Sequence, residues 1–168
     1  MSNTFIKNLK AMNKAKIYLL ILLSVPAFLF SQNITNKEGV FVNNTGEKYS
    51  GNLVSYFENG NKEYVYEIKN GIQNGTAEFY YSSGKIMEKG MFKNGLKHGN
   101  WQKWSEQGHK LAEANYVSGE KDGLWIIWDD KGIKRYEMFY DKGKRTGSWK
   151  NWDENGLETE TKSYNSND

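Results

Sequence analysis

The sequence predicts an all-β protein, an elongated single antiparallel sheet of tandem 24-residue β-hairpins preceded by an N-terminal signal helix. Three observations predict this fold. Glycines recur every 24 residues, aromatic residues reach 15%, and the 168 residues include one proline. Glycine supplies the positive φ of tight turns, and aromatic residues favour strands. The rarity of proline fits, because proline removes a hydrogen-bond donor from a strand ladder.

Three columns of glycine define the repeat. Within each column the spacing is 24 residues, without insertion or deletion from Gly51 to Asp168. We therefore expect a repeat array over 51–168, with units starting at 51, 75, 99, 123 and 147, and an N-terminal half repeat or cap over 32–50. The columns are Gly51, Gly75, Gly99, Gly123 and Gly147; Gly60, Gly84, Gly108, Gly132 and Gly156; and Gly71, Gly95, Gly119 and Gly143.

Each unit is predicted to be one hairpin. Its first strand covers about the second to sixth positions after the first glycine, and a turn with a glycine of the second column follows. The second strand carries an apolar column, and a second turn, such as 71–75, closes the unit. Val40-Phe41-Val42 is the strand predicted for the cap. The apolar column consists of Ile68, Phe92, Tyr116, Tyr140 and Tyr164.

Residues 1–31 are predicted to be a cleavable signal peptide. Four lysines precede an uncharged apolar run from Ile17 to Phe30, and Ser31 follows. The run is shorter than the ~20 residues of a membrane-spanning helix. A retained anchor and a buried helix are the alternatives. We expect an extracytoplasmic protein, periplasmic or secreted, that meets the membrane only through its leader before cleavage.

The charge of the mature chain argues against a nucleic-acid partner. Without the leader, Lys plus Arg falls from 23 to 19 while Asp plus Glu stays at 20, a net charge of about −1. Nucleic-acid-binding domains are typically basic. The abundance of Asn and Lys, together with the simple leader, indicates a bacterial source.

The residues of enzymatic chemistry are sparse. The chain has no cysteine, and His98 and His109 occupy different positions of the repeat, where solvated turns are expected. No nucleophile elbow or phosphate-binding loop is present. We therefore predict no catalytic, metal-binding or cofactor-binding residue and no enzyme. Acids at the first turns, about 10 Å apart from unit to unit, are predicted to be solvated, with cation binding and catalysis as weaker readings: Glu58, Glu106, Asp129, Asp130, Asp153 and Glu154.

The segment from Tyr116 to Trp125, with Trp128 and Gly132 after it, resembles the variant MORN repeat. This repeat occurs in bacterial proteins grouped as YwqK-type antitoxins. The resemblance extends over about residues 40–168 and implies a β-repeat sheet. The antitoxin grouping implies a protein that binds and neutralises a toxin.

Two aromatic columns are the leading candidates for a binding surface. Their members stand three residues apart, which means opposite faces of a flat strand, or one face if a bulge intervenes. The alternative role is the core of the sheet. The columns are Trp101, Trp125 and Trp149, and Tyr56, Tyr80, Trp104, Trp128 and Trp152.

Charge separates the two kinds of turn. The first-turn segments sum to a negative charge, and the second-turn segments sum to a positive one. The basic turn edge is a hypothetical site for a partner or for self-association; its members are Lys97, Lys121, Lys144 and Arg145.

The sequence thus predicts an exported, non-enzymatic module that binds a protein or an envelope component. The alternatives are a toxin-neutralising immunity protein or antitoxin, and a carbohydrate-binding module that uses the Trp and Tyr ladder.

Overall fold

The computed structural model describes residues 33–165, and all regular structure in that range is β. Among these residues there is no helix with the length and apolarity to cross a membrane. The leader predicted for residues 1–31, with its helix, lies outside the described residues.

The described residues form twelve strands. The first two strands pair as a small antiparallel sheet, and the other ten form one antiparallel sheet in sequence order. The predicted all-β fold of consecutive hairpins is therefore confirmed. The strands are β1 (Thr35–Lys37), β2 (Val40–Val42), β3 (Gly51–Tyr56), β4 (Lys62–Lys69), β5 (Ile72–Tyr80), β6 (Ile86–Lys93), β7 (Leu96–Trp104), β8 (Lys110–Val117), β9 (Glu120–Trp128), β10 (Lys134–Asp141), β11 (Lys144–Trp152) and β12 (Glu158–Tyr164).

The second turns are shorter than predicted. The chain reverses over two residues, Asn70 and Gly71, with φ of 51° and 79°. Two consecutive positive φ values characterise the type I′ turn, whose twist matches that of the flanking strands. Strand β5 therefore starts at Ile72, and Gly75, predicted as the end of the turn, lies inside the strand.

Gly75 instead forms a β-bulge. Tyr66 pairs with Ala77 and Ile68 with Gln73, so three residues of β5 oppose one of β4. The φ of Gly75 is 124°, a conformation that L residues with a side chain rarely adopt. The β6–β7, β8–β9 and β10–β11 pairs show register shifts at the equivalent position.

The bulges of β7, β9 and β11 each accompany a tryptophan that bonds to the neighbouring strand, whereas the bulge of β5 has Ala77 at that position. The indole N–H donates to a main-chain carbonyl ten residues earlier, beside the register shift. A polar group that is buried without a hydrogen-bond partner is costly. The carbonyl gives the indole N–H such a partner, so the ring can be buried against the sheet. The bonds run from Trp101 to Met91 (3.1 Å), from Trp125 to Asn115 (2.9 Å) and from Trp149 to Phe139 (3.0 Å).

Two of these tryptophans form the core together with small residues. Trp101 and Trp125 are 2% and 9% exposed, and they cluster with Ala77 and Ala114. The ring of Trp101 covers Gly90 so closely that a Cβ there would come within 2.2 Å of it. The aromatic column of the second strands completes the core, with ring centroids 5.0 to 5.1 Å apart in the pairs Phe92–Trp101, Tyr116–Trp125 and Tyr140–Trp149.

The two tryptophan columns point to opposite faces of the sheet. Strand β7 contains no extra residue between Trp101 and Trp104, since Gln102 and Lys103 pair in order with Lys89 and Glu88. Side chains alternate along such a strand. We call the side with Trp101, Trp125 and Trp149 the aromatic face, and the other side the mixed face.

The turns of successive hairpins also stack on one another. At the second turns, the N–H of Gly95 donates to the carbonyl of Gln73 (2.8 Å), and that of Gly119 donates to the carbonyl of Lys97 (2.8 Å). At the first turns, the Lys85 ammonium donates to the carbonyl of Glu106 (2.9 Å). Neighbouring units are therefore joined along both sides of the sheet as well as through the strands.

Replacing Gly90 by alanine tests the close packing of the indole. We expect Gly90→Ala to lower the free energy of unfolding by about 1–3 kcal/mol, because the added methyl displaces the Trp101 ring. Urea unfolding followed by tryptophan fluorescence measures the change. Gln107→Ala, in an exposed turn, is the control and should stay within about 0.5 kcal/mol. Equal stability of Gly90→Ala and the parent would contradict the packing.

Candidate functional site

The mixed face carries a row of five large aromatic side chains, one from each odd-numbered strand from β3 to β11. We call it the second aromatic row, and it recurs about every 10 Å because its members are two strands apart. Tyr56, at one end, is 60% exposed, and the other four are half-buried. The row consists of Tyr56, Tyr80, Trp104, Trp128 and Trp152.

Lysines lie over the tryptophans of this row. The ammonium of Lys110 is 5.8 Å from the ring centroid of Trp128, and it also pairs with Glu113 at 3.1 Å. Lys134 repeats the arrangement over Trp152 at 4.0 Å. Cation–π contacts of this kind are weak at exposed sites. The face therefore combines aromatic rings with paired charges.

Tyr80 is the member of the row with a perturbed hydroxyl. Burial, followed by its hydrogen bond to Glu78, raises the pKa of Tyr80 to about 12. The hydroxyl donates to the Glu78 carboxylate. It is therefore a neutral hydrogen-bonding group at physiological pH.

The first column of tryptophans occupies a different environment. Trp101 and Trp125 are buried in the core, and Trp149 is half-buried beside Tyr164. Burial also raises the pKa of Tyr116, which packs against Trp125. Of the two columns that the sequence offered as binding surfaces, this one builds the sheet itself.

The predicted basic turn edge divides into two groups. Lys97, Lys121 and Arg145 lie on the aromatic face above indole rings, with the charged group 3.8, 4.4 and 4.8 Å from the centroids of Trp101, Trp125 and Trp149. Lys97 also pairs with Glu88 at 2.8 Å. Lys144 is exposed at the start of β11. Three of the four residues therefore lie over indole rings, and the role of the basic edge in binding stays a prediction.

The two histidines hold neighbouring units together. His98 is half-buried in β7, where its Nδ1 accepts from the N–H of Ser118 at 3.5 Å, so it is not the solvated turn residue that the sequence predicted. His109 is exposed and contacts the carbonyl of Asp130 through Nδ1.

Two acids of the first turns have a local structural role. The Asp153 carboxylate accepts hydrogen bonds from the N–H groups of Asn155 (2.8 Å) and Leu157 (2.9 Å), and Asp129 does the same in the preceding unit. The bond from Leu157 is the main reason that the pKa of Asp153 is lowered. The other acids of these turns are exposed: Glu58, Glu106, Asp130 and Glu154.

Sequence reasoning missed the polar residues that join the second turns. In four of the five units, the residue before the first-column glycine accepts a hydrogen bond from the first residue of a second turn. Its signal in the sequence is a polar residue at a fixed offset of −1 from the first glycine column. The acceptors are Ser50, Asn74, His98 and Asp122, and the donors are the N–H groups of Asn70, Asn94, Ser118 and Lys142.

A groove on the aromatic face was also not foreseen. It has a volume of about 380 Å³ and lies across β10, β11 and β12. Aromatic side chains and charged groups line it together, among them Tyr136, Arg145, Trp149, Glu160 and Lys162. Within residues 33–165, no three His, Cys, Asp or Glu side chains are placed to hold a metal ion.

Comparison with known families gives one match. Residues 73–94 match the model of the MORN repeat variant, which supports a MORN-repeat protein. That segment contains the bulge glycine Gly75 and the first-turn glycine Gly84, both with positive φ, and the equivalent glycines of the following units also have positive φ. MORN repeats are in general non-catalytic modules, and no enzyme-related family was found. No curated protein matches the sequence.

Alanine substitutions should separate the roles of the two columns. We expect Trp101→Ala to lower the free energy of unfolding by about 3–5 kcal/mol, because it removes a buried ring. Trp128→Ala, on the mixed face, should cost less, about 0.5–3 kcal/mol. Urea denaturation followed by far-ultraviolet circular dichroism gives both values. A larger loss in Trp128→Ala than in Trp101→Ala would reverse the assignment of the core.

The Asp153 turn predicts a pH dependence. Because the folded-state pKa is lowered below 3.8, the ionised carboxylate stabilises the fold above that value. This stabilisation is lost as the pH falls through the folded pKa. Asp153→Asn keeps an acceptor oxygen but does not titrate. The stability advantage of the parent over Asp153→Asn should therefore shrink between pH 6 and about pH 2, measured by urea unfolding. A constant difference would contradict the role of the charge.

Proposed function

We propose that this chain is an exported, non-enzymatic β-repeat module that binds a protein or an envelope component through the mixed face. The observation that carries the proposal is the second aromatic row. It presents half-buried tryptophans on a face whose neighbouring charges are paired. Tryptophan, tyrosine and arginine are the usual anchors of protein interfaces.

The repeat architecture supports this function. Each unit adds one aromatic side chain to the row, while contacts within the sheet involve neighbouring strands. A quasi-linear array enlarges its binding surface in this way without a new core. The core tryptophans lie on the opposite face, so substitutions in the row can change binding while the fold is kept.

The predicted leader supports the proposal that the chain is exported. A basic segment followed by a short apolar run is typical of secretory signal peptides, and we propose that residues 1–31 direct the chain to the periplasm or the medium. Detecting the mature chain outside the cytoplasm, with Gln32 or a nearby residue as its first, tests this step. Finding the uncleaved chain, with residues 1–31 still attached, in the cytoplasm would overturn the proposed export.

Affinity capture from the envelope of the host tests binding. We expect Trp128→Ala and Trp152→Ala to weaken capture of the partner at least about tenfold, equivalent to 1.4 kcal/mol, with an unchanged circular dichroism spectrum. Gln107→Ala is the control. Capture that is equally strong in all variants would exclude the row as the binding surface.

Two other ligands suit the same row. A toxin as the partner, implied by the resemblance to YwqK-type antitoxins, would appear as stoichiometric capture of one protein whose activity the chain inhibits. A glycan, suggested by regularly spaced rings, would quench tryptophan fluorescence in the parent more than in Trp128→Ala.

A further inference from the structure

The two edges of the ten-stranded sheet are built differently. Near β3, residues 40–49 bond to the sheet: Phe41 donates its N–H to the carbonyl of Gly71 (2.8 Å), and the Tyr49 hydroxyl donates to the carbonyl of Asn52 (2.9 Å). At the other edge, β12 pairs with β11 alone among the described residues. An unpaired edge offers a row of main-chain donors and acceptors to another strand.

The side chains at the β12 edge are exposed. All residues of β12 except Tyr164 are exposed, and Leu157 in the preceding turn is 66% exposed. Leu157 occupies the same position of the repeat as Lys85 and His109. In their units, these two side chains contact a carbonyl of the following first turn. Within the part of the chain that the structure describes, no turn lies over Leu157 as the next turn does over the equivalent residues of earlier units.

We propose that β12 pairs antiparallel with β12 of a second copy of this chain, about a two-fold axis through Thr161. In this register Glu160 of each copy faces Lys162 of the other, and Thr159 faces Ser163. Opposite charges directly across an antiparallel pair stabilise it, as do pairs of hydroxyl residues. No two like charges face each other.

The charges of the edge select this partner. Charged residues on an edge strand normally discourage pairing with other strands. In the free chain, Lys162 contacts Glu160 of the same strand at 2.9 Å, with side chains 60% and 44% exposed. Such exposed pairs contribute little, so exchanging them for two cross-copy pairs costs little. A strand without the matched charges lacks this compensation.

Pairing would also join two grooves. Glu160 and Lys162 line the groove on the aromatic face. A two-fold axis perpendicular to the sheet keeps both aromatic faces on the same side. The grooves of the two copies then meet at the axis, and each is bordered by residues of both copies.

Charge reversal tests the pairing, using the protein purified in the form the host produces. The parent should sediment as a dimer, while Glu160→Lys and Lys162→Glu should each be monomers, because like charges then face each other. An equimolar mixture of these two variants should recover the dimer, since their charges complement. Lys93→Glu, exposed on another strand, is the control and should remain a dimer. A monomeric parent, or a mixture that stays monomeric, would overturn the proposal.

Engineered cysteines test the register. The chain has no cysteine, so Thr161→Cys introduces a lone thiol at the axis. Cα atoms directly opposite lie about 4.5–5.5 Å apart, within the range for a disulfide. Ser163→Cys places the two thiols about 13 Å apart along the strands. We expect rapid disulfide-linked dimers from Thr161→Cys and at least tenfold slower formation from Ser163→Cys. Equal rates, or no dimer from Thr161→Cys, would contradict this register.

Discussion

The hydrogen bond from an indole N–H to a main-chain carbonyl beside a glycine bulge is the interaction on which the sheet depends. A single-layer sheet has few ways to bury a large ring. The bulge distorts the ladder, the carbonyl of the neighbouring strand accepts a hydrogen bond from the indole N–H, and the ring of Trp101 covers Gly90. The aromatic residues of the second strands pack against its edges. Lysine or arginine side chains cover its outer surface.

The two faces of the sheet differ in how deeply their aromatic side chains are buried. The aromatic face provides the apolar burial that a small β-protein needs, while the rings of the mixed face are half-buried or exposed. Because Trp101 and Trp104 belong to the same strand but to opposite faces, each unit contributes to both. The charged groups of Lys97, Lys121 and Arg145, which the sequence predicts as part of a basic edge, lie over the rings of the aromatic face.

The sequence predicts the fold well and the role of individual residues less well, for physical reasons. The period of 24 residues fixes the hairpins, since turns and aromatic columns recur without insertions. The sequence predicts Gly75 in a turn, but turns and bulges both favour glycine because both require a positive φ, so glycine spacing alone does not distinguish them. The faces of the two tryptophan columns stayed open because a bulge reverses the alternation of side chains. The repeat pattern does not reveal the turn-joining residues Asn74 and His98, because the equivalent positions carry different residue types that have only the ability to accept a hydrogen bond in common.

The stacked turns have a consequence for how such a chain changes over generations. The main-chain bonds that join the second turns begin and end at the same positions of each repeat. Copying 24 codons in frame would therefore insert a complete hairpin whose bonds to both neighbours are already specified. The sheet would widen by about 10 Å per duplication, and the reach of the protein can be adjusted by gene length alone.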